Sequence, residues 1–191
     1  MEKHLFLTGP GAGAALRAAL GQKLLNAGGF VTEIERAEDG SLLRASLLPA
    51  AAAGGAEGFE PLPFLDLSRR PPLHDNEVLR SEGVRLLQEA PWYPFAVLDA
   101  IGSFELLIPQ FRAALTELLN ADQALLGLLI APKEAQALCR RLGLSERVQA
   151  NIDRLWKALQ ADPDTRIVDL GGLRRKKGLR DLAQWAEEYA R

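Results

Sequence analysis

The chain has 191 residues, 48% of them apolar, and a formal charge of −2; that is enough for one domain with a full core and too few for two comfortable ones. So slight a charge gives no general attraction to nucleic acid or to an anionic membrane, and neither is expected as a partner. A lone Cys139 with only His4 and His74 excludes an internal disulfide framework and a zinc site of Cys/His spacing. With no stretch of membrane-spanning length, the expectation is a cytoplasmic protein.

In chain order, HLFLT (4–8) predicts a short buried strand. Helical spacing runs from Gly13 to about Asn26, with Leu16, Leu20, Leu24 and Leu25 on one side, until NAGG stops it. Alternation on both sides of EDGS predicts a β-hairpin over residues 30–48. Residues 49–75 are rich in Ala, Gly and Pro without sustained period, which predicts a long surface loop.

NEVLRSEGVRLLQEA then predicts a helix capped by Asp75 or Asn76. Pro94–Gly102 predicts a buried strand ending on Asp99, followed by a helix over IPQFRAALTELLNA. QALLGLLIAP is a further strand, stopped by Pro132. Two helices follow, KEAQALCRRLG and SERVQANIDRLWKALQAD, the second capped by Ser145. TRIVDLGG is the last strand, and KGLRDLAQWAEEYAR closes the chain as a helix. Alternating strands and helices imply right-handed crossovers. The predicted class is therefore α/β: three layers, a mostly parallel sheet with helices on both faces, and the hairpin at an edge.

The turn between the first strand and the first helix, Thr8-Gly9-Pro10-Gly11-Ala12-Gly13, looks like a phosphate-binding loop. Free amides and the positive end of the helix dipole favour an anion there. A working loop also needs a lysine for the β- and γ-phosphates and a Ser/Thr hydroxyl for magnesium, and this chain has Ala14 and Ala15. Counted from Gly9 to Gly13, the loop is one residue short. Arg17, one turn along the helix, is the candidate substitute cation.

Four pieces in order resemble the small P-loop nucleoside-triphosphatases of the thermophilic-enzyme and human cancer-related NTPase type. They are the glycine turn, GGFVTEIERAEDGSLL, VLDAIGSFEL, and FRAALTELL with LLGLLIAP, together covering about residues 4–131. The resemblance implies a P-loop NTPase fold and slow, magnesium-dependent hydrolysis of nucleoside triphosphates. It makes Gly9, Pro10, Gly11, Ala12, Gly13, Ala14 and Ala15 the nucleotide-binding loop. Asp99 becomes the metal-side carboxylate, acting through water, and Glu105 an accessory acid facing the same crevice. The departures fall on the chemistry: alanine replaces the lysine, the Ser/Thr and, at Ala100, the glutamate that follows Asp99 in the family.

Two functions from different classes follow. One is a degenerate NTPase-like protein that keeps nucleotide or phosphate binding with weak or absent hydrolysis, using magnesium only where activity remains. The other is a regulatory protein that has lost nucleotide and binds a protein partner, with residues 49–75 as the candidate contact. A third reading keeps the NTPase active, with Arg17 or the basic run Arg174–Lys177 replacing the lysine. That run otherwise reads as a solvated loop, the three tryptophans as core or interface packing, and Cys139 as a packed thiol.

Overall fold

The computed structural model describes residues 2–144 and 147–190, so the predicted cap Ser145 lies outside the described residues. In chain order the elements begin β1 (His4–Thr8), α1 (Ala12–Leu20), β2 (Ala27–Arg36), β3 (Leu42–Pro49), α2 (Ala50–Ala53), β4 (Leu62–Asp66) and β5 (Leu73–His74). They continue α3 (Asn76–Val78), α4 (Val84–Glu89), β6 (Phe95–Ile101), α5 (Pro109–Leu119), β7 (Ala124–Leu129), α6 (Pro132–Arg141), α7 (Arg147–Ala161), β8 (Thr165–Asp169) and α8 (Arg175–Glu188). A π-helical turn, Leu79–Gly83, joins α3 to α4. Asp75 caps this helical run by accepting from the Glu77 amide at 2.9 Å.

All eight strands form one sheet in the order β5-β4-β3-β2-β6-β7-β1-β8. β2, β6, β7, β1 and β8 are parallel, and β3, β4 and β5 continue antiparallel from β2. The α/β class and the mostly parallel core match the expectation. The predicted edge hairpin does not: β2 also pairs with β6 and β3 with β4, which puts both of its strands inside the sheet. The predicted loop at 49–75 supplies the missing neighbours, with α2, β4 and β5 inside it. Proline hides β4 from a periodicity reading. Pro63 pairs with Ser46 where the register shifts, a place in a sheet that tolerates a missing N–H.

The central strands β6, β7 and β1 are buried along almost their whole length because both faces are covered. Alternate residues serve two cores. Phe6, Ala96, Leu98 and Leu125 face the layer that holds α4 to α7, whereas Leu5, Leu7, Phe95 and Val97 face α1 and α8. Leu16, Leu20 and Leu24 are buried as expected, but Leu25 is exposed, because α1 ends at Leu20 and a 3-10 turn over Gly21–Asn26 breaks the period. Trp185 is fully buried and donates its indole N–H to the Lys3 carbonyl at 3.0 Å. Trp92, expected in core or interface packing, is 79% exposed and so lies outside the core. Cys139 is a buried thiol, which burial pushes up to about 11. Among the described residues no helix is long and apolar enough to cross a membrane.

Candidate functional site

Ligands of an open α/β sheet sit beyond the carboxyl ends of its strands. Here that end holds a crevice of about 600 Å³, bounded by the glycine turn, Arg17, Thr32, Asp99 and Glu134. A groove of similar size, about 610 Å³, lies at the amino ends of β1 and β8 between α5 and α7. It is walled by leucines of those helices with Arg112, Arg154 and Asp162, and no glycine turn borders it.

The turn takes its shape from two glycines with positive φ, Gly9 at 88° and Gly11 at 77°. A Cβ on Gly9 would stand 2.5 Å from Asp169 Oδ1, so both the backbone angle and the close approach require glycine. Gly11 is the N-cap of α1, with no side-chain cap and no acidic residue in the first turn. The Ala12 amide reaches the Gly9 carbonyl at 3.3 Å and the Ala15 amide the Gly11 carbonyl at 3.0 Å. Among the described residues the amides of Gly11, Gly13 and Ala14 have no such partner. A helix N-terminus left in this state favours an anion.

The volume beside those amides stays open. Leu16 points into the core and Ala14 is exposed, so neither side chain fills it. Ala15 is not part of the crevice wall; it packs against the α1–α8 core. Thr8 lines the crevice and carries a buried hydroxyl with no hydrogen-bond partner.

Arg17 and Asp99, from α1 and β6, come together. Arg17 Nη2 donates to Asp99 Oδ2 at 3.0 Å and to the Thr32 carbonyl at 2.8 Å. The carboxylate side chain is 5% exposed and the guanidinium side chain 41%, so the acid forms the floor and the cation rises into the crevice. Burial pushes the Asp99 carboxyl above its ordinary value, and Arg17 opposes that shift.

Glu105 does not face this crevice, which corrects the expectation for it. It borders the adjoining apolar cavity beside Phe104 and Leu138. Its Oε1 accepts from the amides of Gly102 and Ser103 at 2.5 and 2.8 Å, and its Oε2 accepts from the Ser103 hydroxyl at 2.5 Å. The carboxylate ties together the turn after β6 instead of reaching a ligand. Burial pushes it above the ordinary glutamate value, against these hydrogen bonds.

The basic run Arg174–Lys177 is solvent-exposed, as expected, but it is not a loop. Arg174 ends a 3-10 turn, and Arg175–Lys177 begin α8. Arg175 Nη2 lies 3.4 Å from the place a Cβ on Gly11 would occupy. Arg175 is not part of the crevice wall, but its guanidinium lies beside Gly11 at the rim and, among the described residues, has no hydrogen bond or ion pair. Spacing alone could not reveal this, because it depends on β8 lying next to β1.

For magnesium the donor set does not fit. Ala15 offers no hydroxyl, Ala100 no carboxylate, and Asp99 is engaged by Arg17. Among the described residues no group of three or more His, Cys, Asp or Glu side chains is placed to hold a metal ion. Comparison of the chain with protein-family models, with curated proteins and with solved structures gives no match.

Proposed function

We propose that this is an NTPase-like protein with a degenerate phosphate loop, which binds the phosphates of a nucleotide at the turn before α1 and hydrolyses them weakly or not at all. The observation that carries the reading is the open cradle. Three unpartnered amides at an uncapped helix N-terminus border a crevice that no side chain of the turn has filled. The first-turn amides of a helix have no intrahelical partner, and here they open on a crevice that Arg17 also lines. The ordered pieces that resemble the small P-loop NTPases add support, with β1, β2, β6 and β7 as four of the five parallel strands. Weak or absent hydrolysis follows from the three alanines at 14, 15 and 100, because neither a lysine nor a hydroxyl is there to neutralise the transferring phosphoryl group.

Calorimetric titration with ATP and GTP, with and without magnesium, followed by a phosphate-release assay, tests this. Saturable binding without turnover is the expected result. Ala14→Lys combined with Ala15→Thr should tighten it by about tenfold or more, the size of one close charge contact in such a site. No heat with either nucleotide would defeat the proposal and favour a protein-binding role. Magnesium-dependent turnover would show that the alanines do not disable the site.

A further inference from the structure

We infer that Arg17, held in place by Asp99, is the cation that grips the phosphate, and that the site takes its ligand as a metal-free phosphate anion. The inference rests on the phosphate-site reading and adds to it the source of charge and the state of the ligand.

Arg17 is anchored through one nitrogen only. Nη2 makes both contacts, to Asp99 Oδ2 and the Thr32 carbonyl, and among the described residues Nη1 and Nε have no partner. A guanidinium is a planar fork whose donors suit phosphate oxygens in pairs. With Nη2 fixed on two sides, the fork keeps little rotational freedom to lose on binding. Its unused donors belong to a side chain that is 41% exposed and lines the same crevice as the Gly13 and Ala14 amides.

The same contact explains why magnesium is not needed. A P-loop enzyme uses its strand-end carboxylate to hold, through water, the ion that neutralises the phosphates. Here that carboxylate is 5% exposed and already faces a positive charge supplied by the chain itself. A divalent ion would have to displace Arg17 and then find ligands without the hydroxyl missing at Ala15. Displacement would leave the guanidinium to find a new partner and take away the counter-charge of a carboxylate that is largely out of water. Asp99 is thus a positioning residue for Arg17 and not a metal ligand.

The class of ligand follows. A free triphosphate, diphosphate or pyrophosphate carries its full negative charge to the amide cradle, to Arg17 and to Arg175 at the rim, whereas its magnesium complex brings part of that charge already neutralised. Glu33 and Glu134, which also line the crevice, set a limit on how much anionic ligand beyond the phosphates can be accommodated.

The test measures the affinity of the intact protein for ATP and for pyrophosphate, first in excess magnesium and then in EDTA. Equal or tighter binding in EDTA is expected for both probes. Binding that weakens about tenfold or more without magnesium would overturn the inference and leave the phosphate-site reading standing. Absence of binding in both conditions would overturn the two together. Arg17→Lys retains a charge for Asp99 but loses the fork, so the fold persists, as its thermal midpoint would verify. Its affinity for pyrophosphate in EDTA should fall by about tenfold. Wild-type affinity in that variant would mean that Arg17 is only a structural partner of Asp99 and would overturn the inference.

Discussion

At the scale of single residues, burial decides what each acid does. Asp99 and Glu105 are both buried carboxylates from the same strand-and-turn segment, yet they face different cavities. Asp99 meets a guanidinium, whereas Glu105 meets two amides and a hydroxyl. Glu105→Ala should therefore destabilise the protein by about 1–3 kcal/mol for each amide left unpaired, those of Gly102 and Ser103. Glu105→Gln, which still accepts from both amides through Oε1, should cost much less; chemical denaturation distinguishes the two variants.

The pH dependence has a definite sign. The folded-state value of Glu105 lies above its ordinary value, so within that window the folded chain retains the proton and the unfolded chain releases it. Stability then falls as pH rises from the ordinary glutamate value to the folded one. Glu105→Gln should flatten that part of the stability–pH curve. An unchanged slope would mean that Glu105 ionises alike in both states.

At the scale of elements, α1 lines the crevice and α8 flanks it. α1 supplies the bare amides and Arg17, while α8, starting just after the turn that follows β8, brings Arg175 against Gly11. Lys23 Nζ donates to the Ala186 carbonyl at 2.9 Å and ties the far end of α8 to the turn after α1. Because Arg175 is exposed and stands at the rim, its effect on a bound anion is long-range and screened. Arg175→Ala should weaken pyrophosphate binding by about threefold at low salt and by less as salt is raised. A loss that persists at high salt would mean that Arg175 touches the phosphate directly.

At the scale of the molecule, one sheet separates two cores, and each central strand feeds both. Removing side chains from one face therefore loosens the strands that hold the other, so the two should unfold together. Trp185 reports the α1–α8 face, with its ring 6.0 Å from that of Phe95. In a Trp92→Phe/Trp156→Phe variant, its fluorescence transition should coincide with the loss of far-ultraviolet circular dichroism. Separate transitions would show that the α8 layer detaches before the sheet melts.

Sequence by itself determined the α/β class, the order of the main strands and helices, and the glycine-rich turn between the first strand and the first helix. Those features are local: a five-residue apolar run, a glycine-rich reversal and a helical period are each written in adjacent residues. Short strands interrupted by proline were hidden, since β4 and β5 exist only because β3 offers an edge to pair with. Arg17 could be nominated from its distance to the turn, but the sequence could not show that it would bind Asp99 through Nη2. Only the tertiary structure decided that Arg17, Thr32 and Asp99 meet, that Glu105 turns to the neighbouring cavity, and that Arg175 reaches Gly11. Each of these depends on which strands lie side by side, and strand order is fixed by burial of both sheet faces over long sequence separations rather than by any local pattern.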